Sequence, residues 1–125
     1  MKKTKFKTLI LDVDGVMTDG KFYYTEDGKI MKVFGADDND ALSMLKNFMD
    51  IIFVTGDKKG FKISRKRIVE DMKFELYLVS TLDRVNWIEN KYNLKSVIYI
   101  GDGIFDNLVM DKVGYSICPS NSDKE

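Results

Sequence analysis

Residues 9–20 read Leu-Ile-Leu-Asp-Val-Asp-Gly-Val-Met-Thr-Asp-Gly, an apolar run that ends abruptly in Asp12 and Asp14 and then a glycine. A short run without polar alternation fits a strand buried on both faces of a parallel sheet. Asp12 and Asp14 then stand where the strand stops, and in an open α/β sheet that carboxyl edge is where ligands bind. An aspartate held on a rigid strand end can attack phosphorus. Neighbouring carboxylates repel each other unless a cation sits between them, and Mg²⁺ suits hard oxygen ligands. The same residues would equally serve a plain strand followed by an Asp-Gly turn.

Further apolar runs recur along the chain. Ile51–Val54 ends in Thr55-Gly56, Glu75–Val79 is a short strand-like run, and Val97–Ile100 ends in Gly101-Asp102. Helical patterns lie between them. Asp38 is placed to cap a helix carrying Ala41, Leu42, Leu45, Phe48 and Met49 at helical spacing. A basic helix is predicted over 58–72, and another over 81–92 with Ser80 or Thr81 as cap and Asp83 in its first turn. In this second helix Val85, Trp87 and Ile88 are expected to face inward or onto neighbours. A short helix after Asp106 and a last strand over 114–117 complete the chain. Strands alternating with helices imply right-handed crossovers and a mostly parallel sheet. The expected fold is therefore Rossmann-like, a three-layer α/β/α domain spanning residues 1–125, with no repeat or linker.

The first strand is followed by a different pattern. Phe22-Tyr23-Tyr24 and the run from Lys29 to Phe34 flank Asp27-Gly28, which reads as a β-hairpin over about residues 21–34. Leaving the sheet just after the aspartates, it is placed to act as a flap. Its aromatic residues also suit a subunit contact.

Composition narrows the function classes. The chain has 125 residues, 44% of them hydrophobic, enough for a real core. Its 20 basic and 20 acidic residues cancel, so no general nucleic-acid surface is expected. Lys2, Lys3, Lys5 and Lys7 read as a solvated strand entrance, and Lys58, Lys59, Lys62, Arg65, Lys66 and Arg67 as a solvated helix face able to attract an anion. With no histidine and one cysteine a zinc site is not expected, and Cys118 reads as a small buried apolar residue. No stretch has the length of a membrane span and none reads as a signal peptide, so the cytoplasm is the expected location.

In a parallel sheet the strand ends share one edge. Asp12 and Asp14, Thr55, and Asp102 therefore come from separate strands to one place, which points to an enzyme site.

The runs Asp12-Val13-Asp14-Gly15-Val16-Met17-Thr18, Val54-Thr55-Gly56 and Gly101-Asp102-Gly103-Ile104-Phe105-Asp106 resemble the signature motifs of the haloacid dehalogenase (HAD) superfamily. Within it, the opening motif and hairpin are similar to the small capless sugar-acid phosphatases, which include KDO-8-phosphate and nonulosonate-9-phosphate phosphatases and domains associated with acylneuraminate cytidylyltransferases. The resemblance covers nearly the whole chain. It implies a Mg²⁺-dependent phosphatase of a small sugar phosphate in which Asp12 attacks phosphorus and Asp14 is general acid, then general base. It implies Mg²⁺ held by Asp12, the backbone carbonyl of Asp14, and Asp102, with Asp106 behind. It also implies that Thr55, with backbone N–H groups near Val13 and Gly56, binds phosphate. Arg84 stands where a lysine is usual and keeps the positive charge; Lys58 is a nearby alternative. The resemblance further implies a homotetramer with the hairpin at subunit contacts, an expectation that a strict monomer in sedimentation at micromolar concentration would remove.

Some positions depart from the family pattern. An acidic run, Asp37-Asp38, lies where an arginine would bind a substrate carboxylate, Asp57 replaces another arginine, and Gly103 replaces a second aspartate. These changes favour a sugar phosphate other than KDO-8-phosphate. Other classes are a degenerate domain that binds or regulates a nucleotide-sugar enzyme, and a phospho-receiver. A receiver carries its acceptor aspartate on a middle strand, whereas Asp12 ends the first.

Overall fold

The computed structural model describes residues 5–35, 38–102 and 106–119. β1 (Thr8–Asp12) is buried at every position, as its unbroken apolar composition requires. It forms the middle of a five-stranded sheet with β4 (Asp50–Thr55), β5 (Glu75–Leu78), β6 (Val97–Ile100) and β7 (Tyr115–Ile117), in the order β5-β4-β1-β6-β7. All the pairings in this sheet are parallel. Between β1 and β4 lie an antiparallel hairpin, β2 (Tyr23–Thr25) and β3 (Gly28–Met31), and helix α1 (Asp38–Leu45).

Side chains alternate across the sheet and feed separate cores. Leu9, Leu11, Ile51 and Phe53 pack on one face with Leu42 of α1 and with Ile68 and Met72. Ile10, Val54, Val97 and Tyr99 pack on the other with Ile88 of α3 (Arg84–Lys91) and Val109 of α4 (Asn107–Met110). Helices thus cover both faces, and the fold is the three-layer α/β/α arrangement. No helix among the described residues is long and apolar enough to cross a membrane.

Several local expectations are corrected. The run over 58–72 begins its helix only at α2 (Phe61–Arg65) and widens into a π-helix over Lys66–Asp71. Thr81–Asp83 form a turn, with the Ser80 hydroxyl bonded to the Asp83 carboxylate at 2.9 Å, and α3 starts at Arg84. In α3, Ile88 is buried as expected and Val85 and Trp87 are partly buried. Helix α1 ends at Leu45, so its apolar series stops early; Leu42 is buried whereas Leu45 and Phe48 are exposed. Cys118 is exposed, because β7 is an edge strand with all its residues exposed and the chain leaves the sheet there. The side chain of Asp38, the residues Ala36, Asp37 and Gly103–Phe105, and the lysines Lys2 and Lys3 lie outside the described residues.

Candidate active site

Register places the predicted residues together. Asp12 pairs with Val54, one residue before Thr55, and Leu11 pairs with Ile100, which precedes Gly101-Asp102. Beyond Asp12 the chain turns back through N–H groups of Val16, Met17 and Thr18 onto the Val13 carbonyl. Gly15 enables this turn. Its φ is +86°, and a Cβ there would lie 1.5 Å from Asp102 Oδ2, so glycine lets the loop meet the β6 terminus.

Carboxyl oxygens of Asp12, Asp102 and Asp106 all lie within 4.8 Å of one another. Asp12 and Asp106 are buried. Burial pushes the Asp12 carboxyl up to about 8, and the charges of Asp106, Asp102 and Asp14 reinforce this against the pull of Arg84. Burial, with the nearby Asp106 charge, also raises Asp102. Asp12 and Asp102, made costly to ionise chiefly by burial, share this space with Asp106, and such a set of hard oxygens is suited to a divalent cation, so these residues fit Mg²⁺. Asp106 is the most committed of them. Its Oδ1 accepts from Tyr99 at 2.6 Å and Arg84 at 3.1 Å, and its Oδ2 from the Asp102 N–H at 3.2 Å. The Asp14 carboxylate is not in the cluster.

Arg84, at the first turn of α3, has no exposed surface. Its Nη1 donates to Asp12 Oδ1 at 3.2 Å, Asp106 Oδ1 at 3.1 Å and the Tyr99 hydroxyl at 2.8 Å, and its Nη2 to the Val79 carbonyl at 3.0 Å. Burial holds the Tyr99 phenol far above the ordinary tyrosine range, so it stays protonated and donates to Asp106. Arg84 therefore stands against Asp12.

Asp14 points elsewhere. Its Oδ2 accepts from the Thr55 hydroxyl at 3.2 Å and its Oδ1 faces the Lys32 ammonium at 2.8 Å. Thr55 is fully buried, and its oxygen also accepts the Asp57 N–H at 3.1 Å. Gly56 follows in the exposed turn, where a Cβ would sit 3.7 Å from Arg84 Nη2. The Val13 N–H itself donates to the Val54 carbonyl at 3.1 Å, so a phosphate donor near Val13 would be a neighbouring N–H of the loop. Lys58 is exposed, and the lysine brought to the site is Lys32 instead. Sequence reading missed Lys32. The available signal was alternation, since Lys32 lies two residues before Phe34 and so on its face, between the exposed Met31 and Val33.

The pH dependence of stability follows from the raised carboxyls. Asp12 binds its proton more tightly in the folded chain, at about 8, than at its ordinary 3.8, and Asp102 is shifted the same way. The contribution is complete below the ordinary value and is lost as pH rises through the folded one. In EDTA the melting temperature is therefore expected to fall between about pH 4 and pH 8, and Mg²⁺ to recover most at the alkaline end. Melts that show no such alkaline recovery with Mg²⁺ would contradict the cation site.

No protein-family model matches the chain. Among curated proteins it is 29% identical to the 3-deoxy-D-manno-octulosonate 8-phosphate phosphatase KdsC of Salmonella typhi, over 97% of this chain and 66% of that protein. The chain thus spans slightly less than two thirds of the relatives it matches. Among solved structures it is similar to one described as an HAD superfamily (subfamily III A) hydrolase from Legionella pneumophila, with TM-score 0.80, 26% identity and coverage of 95% of this chain and 67% of that one. It is also similar in fold to the 3-deoxy-D-manno-octulosonate 8-phosphate phosphatase of Moraxella catarrhalis in complex with magnesium ion, phosphate ion and KDO. There the TM-score is 0.77 and the identity 22%, over 96% of this chain and 71% of that one.

Proposed function

Because the chain belongs to the haloacid dehalogenase superfamily, we propose that it is a phosphomonoesterase acting on a small sugar-acid phosphate through an aspartyl-phosphate at Asp12. The observation that carries this reading is the meeting of Asp12, Asp14, Thr55 and Arg84 at one sheet edge, with Arg84 at 3.2 Å from Asp12 and Thr55 at 3.2 Å from Asp14.

The roles follow from position. A carboxylate oxygen of Asp12 attacks phosphorus, and the bond from phosphorus to the sugar oxygen breaks. Asp14, two residues on and free of the carboxylate cluster, gives the departing oxygen a proton. It then takes a proton from the water that attacks the phosphoryl group and frees Asp12. Arg84 neutralises charge beside Asp12, and Thr55, whose single hydroxyl proton goes to Asp14 without substrate, turns it onto a phosphate oxygen when the ester binds. Asp12, Asp102 and the Asp14 backbone carbonyl would hold Mg²⁺, with Asp106 behind them. When bound, the ion supplies charge compensation between carboxylate and phosphate.

The substrate class rests on the relatives' printed activity and on local charge. Lys32 is paired with Asp57 at 3.0 Å, so it adds no free positive charge for a substrate carboxylate. KDO-8-phosphate and nonulosonate-9-phosphate both carry a carboxylate, so this charge balance does not separate them and the substrate panel includes both. The test is phosphate release from a panel of sugar phosphates with Mg²⁺ and with EDTA. Turnover that needs Mg²⁺ is expected, with the preferred ester defining the substrate. A folded protein that binds Mg²⁺ yet hydrolyses none of them would be a degenerate binding domain.

A further inference from the structure

Lys32 is a charged side chain with no exposed surface, delivered by the return leg of the hairpin. The ammonium is held from three different parts of the chain, as donor to one hydroxyl and in ion pairs with two carboxylates. Asp14 Oδ1, in the loop after β1, lies at 2.8 Å, Asp57 Oδ2, in the turn after β4, at 3.0 Å, and Ser64 Oγ, in α2, at 2.8 Å. The nitrogen also sits 5.6 Å from the centre of the Phe22 ring.

The surroundings are built to this arrangement. Asp57 is itself fixed, its Oδ1 accepting the Gly60 N–H at 3.0 Å. Gly60 leaves room for the cluster, since a Cβ there would come within 2.3 Å of Asp57 Oδ2 and 2.8 Å of Lys32 Cε. The strand leg is stitched down just beyond Lys32 by the antiparallel bridge between Phe34 and Thr18. On the other side of the ion pair, Asp14 Oδ1 is buried and takes no well-aligned hydrogen bond from a described residue. The Lys32 charge is what faces it.

A solvated lysine would reach outward, and a substrate-binding lysine would leave its charge unpaired. Lys32 does neither. Burying its charge is costly and is offset only while both carboxylates face it. We infer that Lys32 is a positioning residue that fixes the Asp14 carboxyl group by its charge and, through its ion pairs and its bond to Ser64, straps the hairpin against the site. Asp57 and Ser64 are then the anchor of the strap and not groups that touch substrate.

This inference rests on the phosphatase reading, because it takes Asp14 as the proton donor to the leaving group. It makes a leaving-group prediction. A sugar alkoxide needs that proton and p-nitrophenolate does not. In kcat/KM, which covers steps only through departure of the leaving group, Lys32→Met is expected to lose about 10–100-fold on the sugar phosphate and less than about 3-fold on p-nitrophenyl phosphate. Asp57→Asn, a milder change that leaves Lys32 its other partners, is expected to show the same selectivity at about 3–10-fold. A purely structural role would lower both esters in proportion to the folded fraction. Equal losses on the two esters in both variants, or no loss, would overturn the positioning role.

The strap is read without turnover, by hydrogen exchange over residues 23–34. Faster exchange in Lys32→Met and Asp57→Asn than in the wild type is expected, with the β1 and β4 amides unchanged. Unchanged exchange in the hairpin overturns the strap. A wild type that hydrolyses neither ester defeats the phosphatase reading and with it the positioning of a proton donor, while the exchange result still decides the strap.

Discussion

Asp12→Asn is expected to abolish Mg²⁺-dependent phosphate release, by about a thousandfold or more, without unfolding the protein. The amide has the shape of the carboxylate but no nucleophilic oxygen. It still offers Arg84 Nη1 an acceptor in place of the 3.2 Å contact. It also removes one charge from a cluster in which burial, above all, holds the Asp12 carboxyl up to about 8. Stability in EDTA at neutral pH is therefore expected to be unchanged or higher, while Mg²⁺ affinity falls. Phosphate release, thermal melts and Mg²⁺ titration on the same preparation separate these effects. An Asp12→Asn protein retaining activity within about tenfold of wild type would move the nucleophile elsewhere.

Arg84 carries the largest expected effect on stability. Arg84→Met leaves the buried Asp12 and Asp106 carboxyls facing each other without their shared cation. Removing one partner of a buried ion pair costs about 3–5 kcal/mol, a fall of about 10–20 °C in melting temperature for a domain of this size. The deficit is expected to shrink as pH falls through about 8 and Asp12 takes up its proton, and with Mg²⁺, which supplies the missing charge. Arg84→Lys restores a point charge but not the fork that reaches Tyr99 and the Val79 carbonyl as well. It is expected to cost about 1–2 kcal/mol and to retain measurable turnover. A melt of Arg84→Met within about 1 °C of wild type at pH 7.5 would show that the network contributes little.

Much of the site was legible because parallel strands share an edge. Once Leu9–Leu11, Ile51–Val54 and Val97–Ile100 are read as parallel strands, Asp12, Thr55 and Asp102 must converge, whatever the helices do. Register delivers that, with Asp12 opposite Val54 and Leu11 opposite Ile100. Arg84 came from the resemblance, which puts a cation at the start of the helix before the last motif; the spacing alone started that helix at Thr81, and α3 starts at Arg84. Residues whose role depends on side-chain direction were not legible. Lys32 stands in a polar, aromatic hairpin where a lysine is ordinarily solvated, and only its alternation with Met31 and Val33 pointed inward. Lys58 follows Thr55-Gly56 in sequence but remains at the surface. The apolar series of α1 misled because periodicity does not say where a helix stops; past Leu45 the chain turns, and Phe48 loses the face that would have buried it. Cys118 misled because residue type alone does not say whether a strand is central or at an edge.

The most direct test of Asp12 as nucleophile is mass spectrometry of the protein quenched in acid during turnover of its preferred ester, followed by digestion. The expected result is one phosphoryl group on the peptide containing Asp12, absent from Asp12→Asn and discharged on a chase without substrate. Full turnover with no phosphorylated peptide, or with the phosphoryl group on another residue, would contradict an aspartyl-phosphate at Asp12.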